Sequence, residues 1–271
     1  MADSRRSHTV RQYVWTLTIG GLIVLTGLVG SAVASCQDVP GFTALRAALR
    51  QVVKAGGNGG LGNDMWGTLV DRDGLVCAVA FTGPDGSAWP GSRVIAAQKA
   101  NTANALSRPA GVRGFAAPLS TANLYTAVQP GGSLYGLPFS NPVDPHVAYL
   151  GDPATYGLVN DPLVGRRIGG INVFGGGLAL YTAAGVLVGG LGVSGDTACT
   201  DHIIAWKVRH ALNVDNVPGG VNPPGNDNII FSAAAGSLQA AFLHPECDPV
   251  GAPATSIAEH LPTSHPIGPN P

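Results

Sequence analysis

Two periods of apolar residues alternate along the chain. Phe42 to Lys54, FTALRAALRQVVK, places its apolar side chains at helical spacing and stops at Gly56-Gly57, a good helix end. Met65 to Val70 and Leu75 to Phe81 are short β-rich runs around Arg72-Asp73-Gly74, which reads as a hairpin. A second helical stretch follows from Ser92, taken as its cap, to about Ser107. Gly177 to Tyr181 and Val186 to Val193 form another strand pair around Ala183-Ala184-Gly185. The period then returns to 3.6, with Ile203, Ile204, Trp206, Val208, Ala211 and Leu212 on one face and Asp201, Lys207, Arg209 and His210 on the other. Helix, hairpin, helix, hairpin, helix is the order of an α+β domain: an antiparallel sheet built from two hairpins with packed helices.

The junction before the last of these helices draws the eye. Gly192 to Thr197, GVSGDT, is a bend of small residues with Asp196, Thr197 or Thr200 available as N-cap. Its backbone N–H groups favour an anion above them. Gly190 to Gly195 also spells GxGxxG, with Asp215 further on. A dinucleotide site needs a strand, helix, parallel strand unit, whereas the run here is the far arm of a hairpin and Asn213 to Gly225 offers no strand. The glycines are read instead as allowing close packing and the bend itself. Ser194 is no nucleophile elbow, since Asp196 stands where GxSxG needs glycine.

The ends and the middle of the chain carry a different signal. Arg5, Arg6 and Arg11 precede an apolar run, Trp15 to Val29, and Ala32-Val33-Ala34 fits an A-x-A cleavage site, so residues 1–35 read as a signal peptide for an exported protein. Without Arg5, Arg6, Arg11 and Asp3 the net charge of −1 becomes about −3, and no basic stripe remains for nucleic acid. All four cysteines follow that site. Three connectivities are open, and Cys36 with Cys77 and Cys199 with Cys247 each tie an irregular end to a core element. The competing reading takes Val33-Ala34-Ser35-Cys36 as a loose lipobox, and only a lipidated Cys36 would put the protein on a membrane.

Residues 108–170 lack periodicity and are rich in Pro and Gly: a long insertion, either a lid or a surface excursion. Its Tyr125, Tyr135, Phe139, Tyr149 and Tyr156 can line an apolar pocket or anchor the loop. Residues 213–271 read as a Pro-rich extension packed on the domain 36–212, with a strand candidate at Asn228 to Ser232 and an extended end. Of the histidines after the leader (His146, His202, His210, His244, His260 and His265), His202 and His210 are eight apart on the last helix and read as a solvated face. His146, in the aromatic insertion, is the candidate axial ligand for a metal.

GVLVGGLGVSGDTACTDHIIAW, with its Gly-Val-Ser-Gly-Asp-Thr and following Asp201, and SRVIAAQKANTANAL, with Lys99, Ala100, Thr102 and Ala103, resemble blocks of one family. It comprises the GlcG-like and HbpS-like haem-binding proteins and the C-terminal domain of a cobalamin adenosyltransferase. The resemblance covers about half of the chain after the leader. It implies an exported, oligomeric domain that binds haem, a related tetrapyrrole or another small anionic ligand, for uptake, storage or redox sensing. Two alternatives stand beside it: an enzyme that degrades haem or acts on a small hydroxy acid, and a self-assembling surface protein without ligand. In the matched helix Lys99 is a lone cation suited to a carboxylate or propionate. With Gly195, Asp196 and Thr197 as N–H donors opposite, it is expected to form one ligand pocket.

Overall fold

The computed structural model describes residues 35–84, 89–109, 118–222, 225–248 and 253–268. The expected leader lies outside the described residues apart from Ser35. A four-stranded antiparallel sheet, in the order β2-β1-β4-β3, comprises β1 (Trp66–Asp71), β2 (Val76–Phe81), β3 (Gly177–Tyr181) and β4 (Leu187–Ser194). The hairpins are those predicted, and they join through β1 and β4, where Leu69 lies opposite Leu191 and Trp66 opposite Ser194. Among the described residues no helix is long and apolar enough to cross a membrane.

Both faces of the sheet are covered, which is why its strands read as unbroken apolar runs. One face carries Leu69, Leu178, Leu180, Leu191 and Val193, and packs on α1 (Phe42–Ala55) and α3 (Ala198–Ala211), with α4 (Ala254–Ser264) packed on α3. The other face carries Val70, Val76 and Val79, and packs on α2 (Ser92–Leu106) and on Ala148, Leu163 and Ile168 of the insertion. Gly91 rather than Ser92 sits at the N-cap of α2, and no side chain caps it.

The glycines of β4 explain how closely α2 approaches. A Cβ on Gly192 would sit 1.8 Å from the carbonyl oxygen of Ala96, and one on Gly190 would sit 2.2 Å from that of Ala100. Backbone meets backbone there, so the GxGxxG spelling serves helix-on-sheet packing.

The insertion holds single helical turns, at Leu137–Ser140 and Pro145–Ala148 among others, and is pinned to the core by one buried ion pair. Arg93 of α2 donates its Nε to Asp161 Oδ2 at 2.9 Å and its Nη1 to the Ala148 carbonyl at 3.0 Å. Asp161 also accepts the amides of Gly157 and Leu163.

Both expected disulfides are present, Cys36–Cys77 with Cα atoms 5.3 Å apart and Cys199–Cys247 with 5.9 Å. The Cys36 sulfur is therefore bonded to Cys77, which removes the thiol a lipid would need.

The extension departs from its reading in two ways. Asn228 to Ser232 is extended but joins no ladder, and Ala254 to Ser264 is a helix rather than an extended end. Ala254, Ala258 and Leu261 give α4 its buried stripe, a helical period that the flanking Pro253 and the internal Pro262 hide. Pro262 lies in the final turn of α4, where few carbonyls depend on the lost N–H. Arg209 of α3 holds this region through Asp227, with two N–H···O contacts of 2.7 Å.

Replacing Gly192 with Ala must push α2 off the sheet, because the obstruction is backbone. The variant is expected to lose roughly 3 kcal/mol of unfolding free energy in urea. Gly41→Ala, where nothing lies within 4 Å, is expected to change it little; equal values for the two variants contradict this packing.

Candidate functional site

The bend between β4 and α3 is fully engaged by the protein's own carboxylates. Asp201 Oδ2 accepts Lys99 Nζ at 2.6 Å, and Asp201 Oδ1 accepts the amide of Asp196 at 2.9 Å. Lys99 also donates to the Val193 carbonyl at 3.0 Å and lies 4.5 Å from the centre of the Phe174 ring. Lys99 and Asp201 are almost wholly buried. Burial pushes the Asp201 carboxyl up to about 6, against the attraction of Lys99, and pushes the Lys99 ammonium down, against the attraction of Asp201.

Asp196 points the other way, into a loop of glycines. Its carboxylate accepts the amides of Leu61 at 2.9 Å, Asn63 at 3.2 Å and Thr197 at 2.7 Å. A Cβ on Gly60 would lie 2.2 Å from Asp196 Oδ1, so only glycine lets the loop wrap the carboxylate this tightly. Thr197 caps α3 by accepting the amide of Thr200. The structure thus brings Lys99, Gly195, Asp196 and Thr197 together, but the Lys99 ammonium and the amides of Asp196 and Thr197 are taken by the protein's own acceptors. A cavity of about 490 Å³ does border Asp196 and Thr200. It presents a carboxylate there, the wrong sign for an anionic ligand.

A larger cavity, of about 800 Å³, opens elsewhere, between α1, the strand ends of the first hairpin, the start of α2 and the insertion. Trp66 and Phe81 form its floor, stacked with ring centroids 4.2 Å apart. Tyr149, Tyr156 and Leu158 come from the insertion, and Arg46 from α1. Arg93, beneath, stacks its guanidinium 3.6 Å from the centre of the Tyr156 ring. Two buried donors of these residues, Arg46 Nε and Trp66 Nε1, have no hydrogen-bond partner among the described residues. The apolar walls, with the Arg46 guanidinium among the lining side chains, suit a guest with an apolar body and an anionic edge. The donor set fits a ligand with a broad apolar body and carboxylates. The insertion's aromatics divide accordingly: Tyr149 and Tyr156 line the cavity, Tyr125 lies against His244, and Tyr135 and Phe139 face solvent. The sequence left open whether the insertion's aromatics line a pocket, and the other walls were not visible in it, because they come from separated segments.

The histidines are placed differently from their reading. His146 is exposed, on the turn before Tyr149, and is not among the cavity's lining residues. His202 is not on a wet face: it is fully buried, its Nε2 being 3.1 Å from Asn228 Oδ1 and 3.2 Å from the amide nitrogen of Ile229. The extension covers this side of α3. His210 is half-buried, with Nδ1 2.9 Å from Asp215 Oδ2. Burial pushes the His202 imidazole down to about 3 and that of His244 down to about 4.

Between pH 6.5 and about 4 the unfolded chain therefore binds protons at His202 and His244 that the folded chain refuses, so stability falls as the pH drops. Asp201 opposes this, since its raised folded pKa lets the folded state take a proton first. Two imidazoles outweigh one carboxyl, and the loss attributable to these groups is on the order of 3 kcal/mol. Urea midpoints across this range should fall more steeply for the wild type than for His202→Gln; parallel slopes contradict a neutral buried imidazole.

Comparisons with known proteins place these elements in a family. The family model described as "Haem degrading protein HbpS-like" matches residues 43–209, from α1 through α3. Among solved structures, the chain is 27% identical to the PduOC:heme complex, over 64% of this chain and 91% of that one, with a TM-score of 0.42. It is 22% identical to the Klebsiella pneumoniae protein ORFY, over 63% and 86%, with a TM-score of 0.41. It is 18% identical to a double mutant of Streptomyces reticuli HbpS, over 74% and 99%, with a TM-score of 0.42. No curated protein matches. The matched interval takes in the whole sheet, Lys99, the bend and Asp201, and it spans well over half of the chain's 271 residues. The chain belongs to the HbpS-like family.

Proposed function

We propose that the aromatic cavity binds haem or a closely related tetrapyrrole, and that the protein does so outside the cytoplasm as a carrier, store or sensor. The observation that carries this reading is the large, mainly aromatic cavity, with Trp66 stacked on Phe81, Tyr149 and Tyr156 from the insertion, and the cation of Arg46 among its lining residues. A macrocycle supplies the apolar face for Trp66, Phe81 and Tyr156, and its propionates supply a partner for the Arg46 guanidinium. Tyr149 offers a phenol oxygen at the wall, a ligand type that haem iron accepts; bound haem would bring redox and oxygen chemistry that the side chains lack. His146, the earlier axial candidate, stays available only on the outer turn. Family membership supports the ligand class, and the two disulfides support export. The exposed Tyr135, Phe139 and Val159 favour association of copies into a homo-oligomer. The family description also favours a second reading, in which the bound haem is degraded.

Haem titration of the folded protein should give a shifted Soret band saturating at one equivalent per chain. Arg46→Ala and Trp66→Ala are each expected to weaken binding about tenfold, the scale of a lost hydrogen bond to a charged group and of a lost aromatic wall. Tyr149→Phe should change the band's position, while His146→Ala leaves it alone. Loss of the band with reductant and oxygen selects the degrading reading. A missing shift, or saturation indifferent to Arg46, Trp66 and Tyr149 together, overturns the cavity assignment.

A further inference from the structure

The C-terminal tail crosses the start of α3 where three groups able to hold a metal ion meet. Cys199, His244 and Cys247 each bring a ligand atom, all within 4.8 Å of one another. Two of these atoms are the sulfurs of the second disulfide, whose Cα atoms are 5.9 Å apart. We propose that this triad is a redox-gated site for a thiophilic, tetrahedral cation of the zinc class, blocked while the disulfide stands and formed when a dithiol reduces it.

The chemistry balances without further reactants. The dithiol becomes its own disulfide and passes two electrons and two protons to the Cys199–Cys247 bond, which breaks. The two new thiols release their protons to solvent as the metal–sulfur bonds form, and two thiolates neutralise the dication. Cys247 is only half-buried, so the site has an entry side.

Three observations favour the site. Cys199 opens a helix of 14 residues, and the Cys247 sulfur accepts the Cys199 amide at 3.1 Å, an environment that stabilises thiolate. His244 is held in place before any metal arrives: its amide donates to the Ile230 carbonyl at 2.8 Å, its Nδ1 lies 2.7 Å from the Pro245 carbonyl oxygen, and its Nε2 accepts the Gly175 amide at 3.4 Å, a long contact that a metal would displace. Cys36, Cys77 and Asp71 make a comparable cluster, and there too the third side chain already accepts amides, those of Asp73 at 3.0 Å and Leu75 at 2.9 Å on Asp71. Its hard carboxylate is the poorer partner for a thiophilic ion.

The test uses the full chain without its leader, carrying Cys36→Ser and Cys77→Ser, reduced without oxygen and titrated with Co²⁺. One equivalent should raise a thiolate-to-cobalt charge-transfer band that Zn²⁺ displaces, absent before reduction and weakened at least about tenfold by His244→Gln. If the serine variant does not fold, the same titration on reduced wild type, compared with Cys199→Ser, gives the answer. If reduction itself lowers the helical circular dichroism, Zn²⁺ should restore it. Binding before reduction, binding that survives Cys199→Ser with Cys247→Ser, no band from a folded reduced chain, or failure of Zn²⁺ to restore an unfolded one each overturns the proposal.

Discussion

The carboxylate of Asp201 is shared between an ammonium and an amide, and the arrangement of the sheet's upper end follows from that sharing. Lys99 reaches it from α2 on one face of the sheet, and α3 carries it on the other, so the contact passes the end of β4 and locks both helices to that strand. Two charges so buried are costly to desolvate and stable only when every lone pair and proton has a partner. Here both carboxylate oxygens are engaged, and Lys99 adds the Val193 carbonyl. Removing one partner would strand the other in an apolar setting, which costs more than the pair contributes.

The same device recurs where the chain is least regular. Arg93 with Asp161 fixes the insertion, and Arg209 with Asp227 fixes the extension, each guanidinium also donating to a backbone carbonyl. A chain with only 11% charged residues thus spends several of them inside. Loops that could not form a core of their own are held by buried charge and by two disulfides. Because the insertion is held at Asp161, Tyr149 and Tyr156 can serve as a wall of the aromatic cavity.

The hairpins and three helices were legible because their signals are local: Arg72-Asp73-Gly74 between β-rich runs, and apolar residues at 3.6 spacing ending in glycines. Lys99 was legible as a cation awaiting a carboxylate; that the carboxylate is the protein's own Asp201 depends on a contact across 102 positions. The charged face of α3 misled because Asp201 and Arg209 are buried by pairing, which looks identical to solvation in a sequence. α4 was hidden by its prolines. The cavity is assembled from positions as far apart as 46, 66, 81 and 149–158, and only the aromatics of the insertion hinted at it in the sequence.

A double-mutant cycle on Lys99 and Asp201 reaches the central claim most directly, with unfolding free energies measured for Lys99→Met, Asp201→Asn and both together. Each single change is expected to cost about 3–5 kcal/mol, as for a charge left unpaired in the interior, and the double variant much less than their sum. Costs that simply add would mean that the two side chains act independently, contradicting a fold organised around their shared contact.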